Sequence, residues 1–377
     1  MKIAVNTRLL LPNRLEGIGW FTYETLKRIT RDHPEHEFIF LFDRRFDPQF
    51  VFEKNVTPVV IGPQARHPWL YKIWFGWSVP RALKKHDADI FLSPDGYLSL
   101  HTEVPQLAVI HDLNFEHYPE DLPGIHGRFY RKYFPKYARK AKRIATVSEY
   151  SKADIASQYS IDPEKIDVVF NGVGDHFSPL AENEKEKTRR TLTKGSPYFV
   201  FVGSLHPRKN IHRLFEAFDR FKAKTGSDHK LVIVGEKFWW NNEIEEAFEN
   251  MSFNTEVEFL GRLSGVQLNR VVASAEAMAF VPYFEGFGIP VLEAFQSETP
   301  LITSNVTSLP EVAGDAAILV DPFNVDEITH AMERIAHDPE LRIALIEKGK
   351  QQVQKFTWER TADLLWQSIE RILSDKN

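Results

Sequence analysis

The chain has 377 residues, 43% apolar and 26% charged, with a formal net charge of −5 at pH 7. That is enough chain for two domains with separate cores, and its balance is that of an ordinary globular protein, not of a general nucleic-acid binder. There is no cysteine, so disulfides and thiolate metal sites are excluded, and no run approaches the roughly 18 apolar residues of a membrane span.

Lys2 to Thr7 reads as an opening strand without the apolar core of a signal peptide, which points to a cytoplasmic protein. A loop bearing Gly17 and Gly19 follows and runs into a helix. Strand-like runs come next at 37–43, 57–61, 89–93, 106–111, 143–147 and 165–170, separated as a doubly wound α/β domain requires. The run ending at His111 and Asp112 places two polar groups at the end of an apolar strand, where they serve either as a helix cap or as ligand contacts. Ser148, at the next strand end, fits helix capping best.

Two stretches of this half stand apart. Residues 67–77 hold five aromatics, mostly expected in the core, with some available as an exposed face for lipid or acceptor. Residues 126–143 hold eight Lys/Arg, no acid, and Phe129, Tyr130, Tyr133, Phe134 and Tyr137. This pattern fits a basic interfacial helix on an anionic membrane surface as well as a solvated face beside a buried one, and Pro135 is expected to interrupt it.

Residues 181–194 are charge-rich and read as a linker with some helix. The expected division is 1–180, 195–355, and a terminal helix over 356–377. The second half opens with a buried strand ending at Gly203, then Ser204 and the adjacent cations Arg208 and Lys209 before a helix starting near Asn210. Two cations after a strand suit a diphosphate, although a plain surface pair has the same spelling. Further strands end at Gly235 and at Gly261-Arg262-Leu263. An apolar run, 277–282, then leads into Glu285-Gly286-Phe287-Gly288-Ile289-Pro290 and, one turn into a helix, Glu293. Carboxylates at a glycine-cleared helix start accept hydrogen bonds in pairs, as the vicinal hydroxyls of a sugar or ribose require. No Asp-x-Asp pair stands at the carboxyl end of an expected strand, so neither metal nor cofactor is expected.

Two glutamates separated by seven residues around Gly-Phe-Gly resemble the retaining nucleotide-sugar glycosyltransferases of family 4, which have the GT-B fold. The resemblance spans nearly the whole chain and is strongest from Gly203 to Gly314. It implies two Rossmann-like domains facing across a cleft, with the last helix crossing back to the first domain. It further implies that Glu285 holds hydroxyls of the transferred sugar and Glu293 the ribose, with Gly286, Phe287, Gly288 and Ile289 lining the donor loop. Arg208 and Lys209 would neutralise the phosphates beside Gly203, the loop of Gly17 and Gly19 would lie near the diphosphate, and Arg262 and Leu263 would meet the base. His111 would touch the transferred sugar and joins Arg208, Lys209 and Glu285 in the expected catalytic set. Ser204 departs from the family, which commonly has Arg after this glycine. The Gly-Ser-Leu-x-Pro-Arg-Lys-Asn spelling is reminiscent of enzymes that use GDP-mannose.

The expected partners are a nucleotide sugar and a saccharide or lipid-linked saccharide acceptor, not nucleic acid. The expected location is the cytoplasm or the inner face of the cell membrane. Rival readings are a nucleotide-sugar epimerase, a pyridoxal-dependent phosphorylase, and a non-enzymatic sugar-binding protein of the same two-lobed build.

Overall fold

In the computed structural model, which describes residues 1–12, 14–122, 124–237 and 240–374, each half of the chain winds a parallel sheet. The chain divides into a first unit, Met1 to Asn171 with the segment from Trp358, and a second unit, Gly172–Thr357. The first sheet contains β1 (Lys2–Asn6), β2 (Glu37–Phe42), β3 (Val56–Val60), β4 (Ile90–Ser93), β5 (Gln106–Val109), β6 (Arg143–Thr146) and β7 (Ile166–Val168) in the order 3-2-1-4-5-6-7. Ile3 pairs with Phe38 on one side and Ile90 on the other, both parallel. Phe38 through Phe42 are all buried, the unbroken apolar run of a strand covered on both faces.

Several expected strands end one or two residues early, where the chain turns into the following loop. Gly17 and Gly19 lie in the first turn of the helix Gly17–Asp32 and not in a loop ahead of it. Pro135 does not interrupt its helix, which runs Gly124–Lys140. The aromatics on that helix face inward: Phe129, Phe134 and Tyr137 are buried in the core, with Tyr130 and Tyr133 packed against it. They do not form an exposed aromatic face, since burying them offsets the cost of ordering the helix.

The helix Trp358–Ser374 is part of the first unit. Its Glu359 accepts from Arg28 Nε at 2.8 Å, Trp366 stacks on His33 with centroids 3.6 Å apart, and Arg371 pairs with Asp167.

The second sheet contains β8 (Tyr198–Val202), β9 (Lys230–Val234), β10 (Val257–Gly261), β11 (Ala277–Phe280), β12 (Leu301–Ser304) and β13 (Ile318–Val320), ordered β10-β9-β8-β11-β12-β13. Counted from its own first strand this is again 3-2-1-4-5-6. In place of a linker, residues Glu182–Thr193 form a helix, and Arg189 Nε donates to Ser274 O at 2.9 Å, holding it to the second unit. Its charge-rich surface is mostly exposed. The order 3-2-1-4-5-6 leaves one switch point per sheet, between β1 and β4 and between β8 and β11, where the flanking loops diverge and ligands of open α/β sheets lodge.

Candidate active site

Two loops meet at the switch point of the second sheet. The first follows β8. Gly203 takes φ +150°, and the chain then turns through the 3₁₀ segment Pro207–Lys209 into the helix Ile211–Thr225. Asn210, between them, sits in the left-handed region with φ 62°, a conformation Asn tolerates better than most residues. Its Nδ2 donates to Val281 O at 2.9 Å and Pro322 O at 2.7 Å, so the loop is pinned to the end of β11 and to the loop after β13.

The second loop follows β11 and carries Glu285. Tyr283 N–H donates to Arg208 O at 3.0 Å, tying the two loops backbone to backbone. Arg208 Nη1 donates to Phe284 O at 3.1 Å and lies 2.9 Å from Glu285 Oε2. Lys209 Nζ donates to Glu285 Oε1 and sits 5.2 Å from the Phe280 ring centroid. Glu285 is only 6% exposed and Lys209 8%. Burial pushes the Glu285 carboxyl up, but the Arg208 and Lys209 charges outweigh it and hold the group below its ordinary value. The carboxylate is thereby favoured in its ionised form, and by formal charge two cations against one anion leave the trio net positive.

The main chain of Glu285 is held by the turn that follows β12. Ser308 Oγ donates to Glu285 O at 2.9 Å, and Glu285 N–H faces Thr307 Oγ1 at 3.4 Å. Neither residue is in the set expected from sequence; the only local signal is a run of hydroxyls after a strand. Phe287 is buried with its ring edge-on to Phe356, and Ile289 is half-buried. Gly288, φ 94°, is the N-cap of the helix Ile289–Gln296, where no side chain caps the leading N–H groups. A Cβ there would lie 2.7 Å from Leu309 Cδ2, a side-chain end that would have to move aside, so the conformation is the stricter demand for glycine.

Glu293 lies within that helix, and its Oε2 is buried with no hydrogen-bond partner among the described residues. Burial pushes its carboxyl from the ordinary 4.5 up to about 7, against the opposing pull of Lys209. Between those two values the folded chain keeps a proton that the unfolded chain has lost, so stability falls as pH rises through this window and stays lowered above it. Glu293→Gln removes the penalty. It is expected to raise the melting temperature by roughly 5 °C at pH 8 and to leave it unchanged near pH 4. An equal shift at both pH values would assign the effect to packing.

The remaining expected residues lie around this centre or in the other unit. Ser204 is exposed after Gly203; Arg262, exposed, and Leu263, half-buried, follow β10 at the sheet edge. Gly203 and Gly235 (φ +157°) end neighbouring strands in close backbone contact, and a Cβ on Gly235 would lie 1.8 Å from Gly203 O. Gly261, φ +65°, has open space where a Cβ would stand.

His111 belongs to the first unit. Its Nε2 lies 2.8 Å from Pro94 O, an acceptor only, so Nε2 carries the hydrogen. Burial lowers its pKa against the opposing effects of that bond and of Asp112. Beside it, Asn6 Nδ2 donates to Asp95 Oδ1 at 2.8 Å and Arg8 Nε to Asp95 Oδ2 at 2.7 Å, filling the β1/β4 switch point with a buried ion pair. Ser148 Oγ accepts from Ser151 N–H at 3.0 Å as a helix cap.

The two sheets define the class, an α/β protein of the GT-B type. Sucrose-phosphate synthase from Thermosynechococcus elongatus superposes with TM-score 0.79 and 17% identity over 99% of each chain. WaaG, a glycosyltransferase involved in lipopolysaccharide biosynthesis, does so with TM-score 0.74 and 16% identity over 96% of this chain and 97% of its own. The family model Glycosyltransferase Family 4 matches residues 15–176, and Glycosyl transferases group 1 matches 182–352. The chain belongs to the group 1 glycosyltransferases of GT-B type. Among curated relatives, O-antigen chain mannosyltransferase B of Escherichia coli is 26% identical over 357 residues, 92% of this chain and 93% of the relative. O-antigen chain mannosyltransferase RfbU of Salmonella typhimurium is 27% identical over 277 residues, 72% of each.

Proposed function

We propose that this glycosyltransferase moves mannose from GDP-mannose to a hydroxyl of a saccharide or lipid-linked saccharide acceptor in surface-polysaccharide synthesis, with retention of anomeric configuration and without a metal ion. The observation that carries the reading is the convergence of Arg208, Lys209 and Glu285 at the β8/β11 switch point, within a net positive charge that a diphosphate complements. The names of the mannosyltransferase relatives support the choice of sugar.

In this scheme the donor's diphosphate lies against Arg208 and Lys209. Negative charge grows on it as the sugar bond breaks, and fixed cations stabilise that charge more in the transition state than in the ground state. Glu285 accepts hydrogen bonds from hydroxyls of the sugar. Glu293, whose buried oxygen has no partner among the described residues, accepts from the ribose. Glu293→Gln is thus expected to weaken nucleoside diphosphate binding.

Thermal shift against GDP, UDP and ADP tests the base, since binding raises apparent stability. Transfer from GDP-mannose followed by NMR of the new anomeric proton tests sugar and stereochemistry. A preference for UDP, or a product of inverted configuration, would overturn the corresponding part of the scheme. Activity is expected to persist in excess EDTA, because the two cations do the work a metal would otherwise do. Loss that only added magnesium or manganese restores would show the opposite.

A further inference from the structure

Residues 68–85 of the first unit form one helical stretch in three parts: Pro68–Ile73, a π-helical turn Trp74–Ser78, and Val79–Lys85. One side is core, with Tyr71, Trp74 and Phe75 buried. On the other side Trp69, Ile73 and Trp77, four residues apart, are 67%, 41% and 59% exposed. Exposed tryptophan is costly to leave in water, and two flanking an isoleucine make an apolar ridge.

Cations line this ridge. Lys72 Nζ lies 5.0 Å from the Trp69 ring centroid, and the Arg81 guanidinium 3.4 Å from that of Trp77. The helix Gly124–Lys140 packs alongside, with Tyr71 and Phe129 rings 5.6 Å apart. There Lys132 and Lys136 gather with Lys72 around Tyr133, each within 6.0 Å of its ring centroid. Lys72, Arg81, Lys132 and Lys136 form no ion pair among the described residues. Like charges collected without carboxylates, on a chain whose net charge is −5, call for an anionic partner. A second copy of this chain presenting the same face would bring the same cations against them.

We propose that this ridge docks the first unit on an anionic lipid bilayer, with Trp69 and Trp77 at the headgroup boundary and the lysines and arginine on lipid phosphates. Indoles favour that boundary, and basic side chains beside them add affinity. The inference rests on the first unit alone and does not depend on the donor or the metal question.

Flotation of the whole chain with vesicles of phosphatidylcholine and phosphatidylglycerol in equal parts, against phosphatidylcholine alone, is the test. Binding to the anionic vesicles at low ionic strength is expected, with quenching of tryptophan fluorescence by brominated lipid. Trp69→Ser with Trp77→Ser should abolish the quenching and lower the affinity about tenfold or more. Lys132→Gln with Lys136→Gln should weaken binding roughly fivefold for each cation removed, and high salt should mimic it. A circular-dichroism melt confirms that each variant is folded. The proposal is overturned by no binding at low ionic strength, by equal binding to neutral vesicles, or by unchanged binding in both variants. It is equally overturned if the chain ignores vesicles and forms a dimer that the tryptophan substitutions abolish.

Discussion

Replacing Lys209 by alanine is expected to lower turnover by about 10²–10³ at saturating donor while the chain stays folded. The Lys209 side chain is more buried than that of Arg208, 10% against 23% exposed, so solvent screens its charge less. Its position is fixed by Glu285, by the Phe280 ring and by the Asn210 anchor next in sequence. A cation held this way reorganises little when charge develops on the departing diphosphate, and losing one such contact costs about 3–4 kcal/mol. Arg208→Ala should fall less, since its guanidinium is more exposed and is partly engaged by Phe284 O. A purely structural role for Lys209 would instead show as a lowered melting temperature with turnover per folded molecule intact. Turnover within about threefold of the parent in both variants would mean that the leaving group is held elsewhere, and Arg262 would be the next residue to replace.

Glu285→Gln separates sugar holding from nucleotide holding. The carboxylate pairs with both cations, and the amide removes its charge while keeping its shape. Breaking a buried pair on one side typically costs about 3–5 kcal/mol of stability, so the melting temperature should drop. Nucleoside diphosphate binding, in contrast, should hold or tighten, because a competing anion has left the two cations. Turnover should fall roughly 10²-fold, since the hydroxyls lose a charged acceptor in the transition state. Calorimetric titration of GDP into Glu285→Gln and Glu293→Gln decides the assignment. If the first abolishes binding and the second leaves it intact, the two carboxylates have exchanged roles.

The alternation of strands and helices was legible because it is written locally. Apolar runs such as Tyr198–Val202 are bounded by glycine, and the Glu285 to Glu293 stretch carries its own turn and helix start. What joins those segments was not legible. Glu285 meets Lys209 across 76 residues, and Ser308 supports it from the turn after β12. Such contacts follow from strand order, which a single sequence does not print. Helical faces were the other blind spot. Residues 67–77 place Trp74 inside and Trp69 and Trp77 outside, and the helix from Gly124 turns its aromatics inward and its lysines outward. Composition alone weights both faces equally. The stretch Glu182–Thr193 reads only as a linker with some helix, because so little of its surface is apolar, yet it is a full helix of the second unit.

Gly235 and Gly261 end neighbouring strands with positive φ, and a sequence alone treats them alike. Under random mutagenesis they should behave differently. At Gly261 only the backbone conformation is demanding, so asparagine and aspartate should survive in a library selected for function. At Gly235 any Cβ would collide with Gly203 O, and no adjustment of a side chain relieves a clash with main chain. That position should tolerate no substitution, and the paired ends of β8 and β9 should drift through evolution as one inseparable unit.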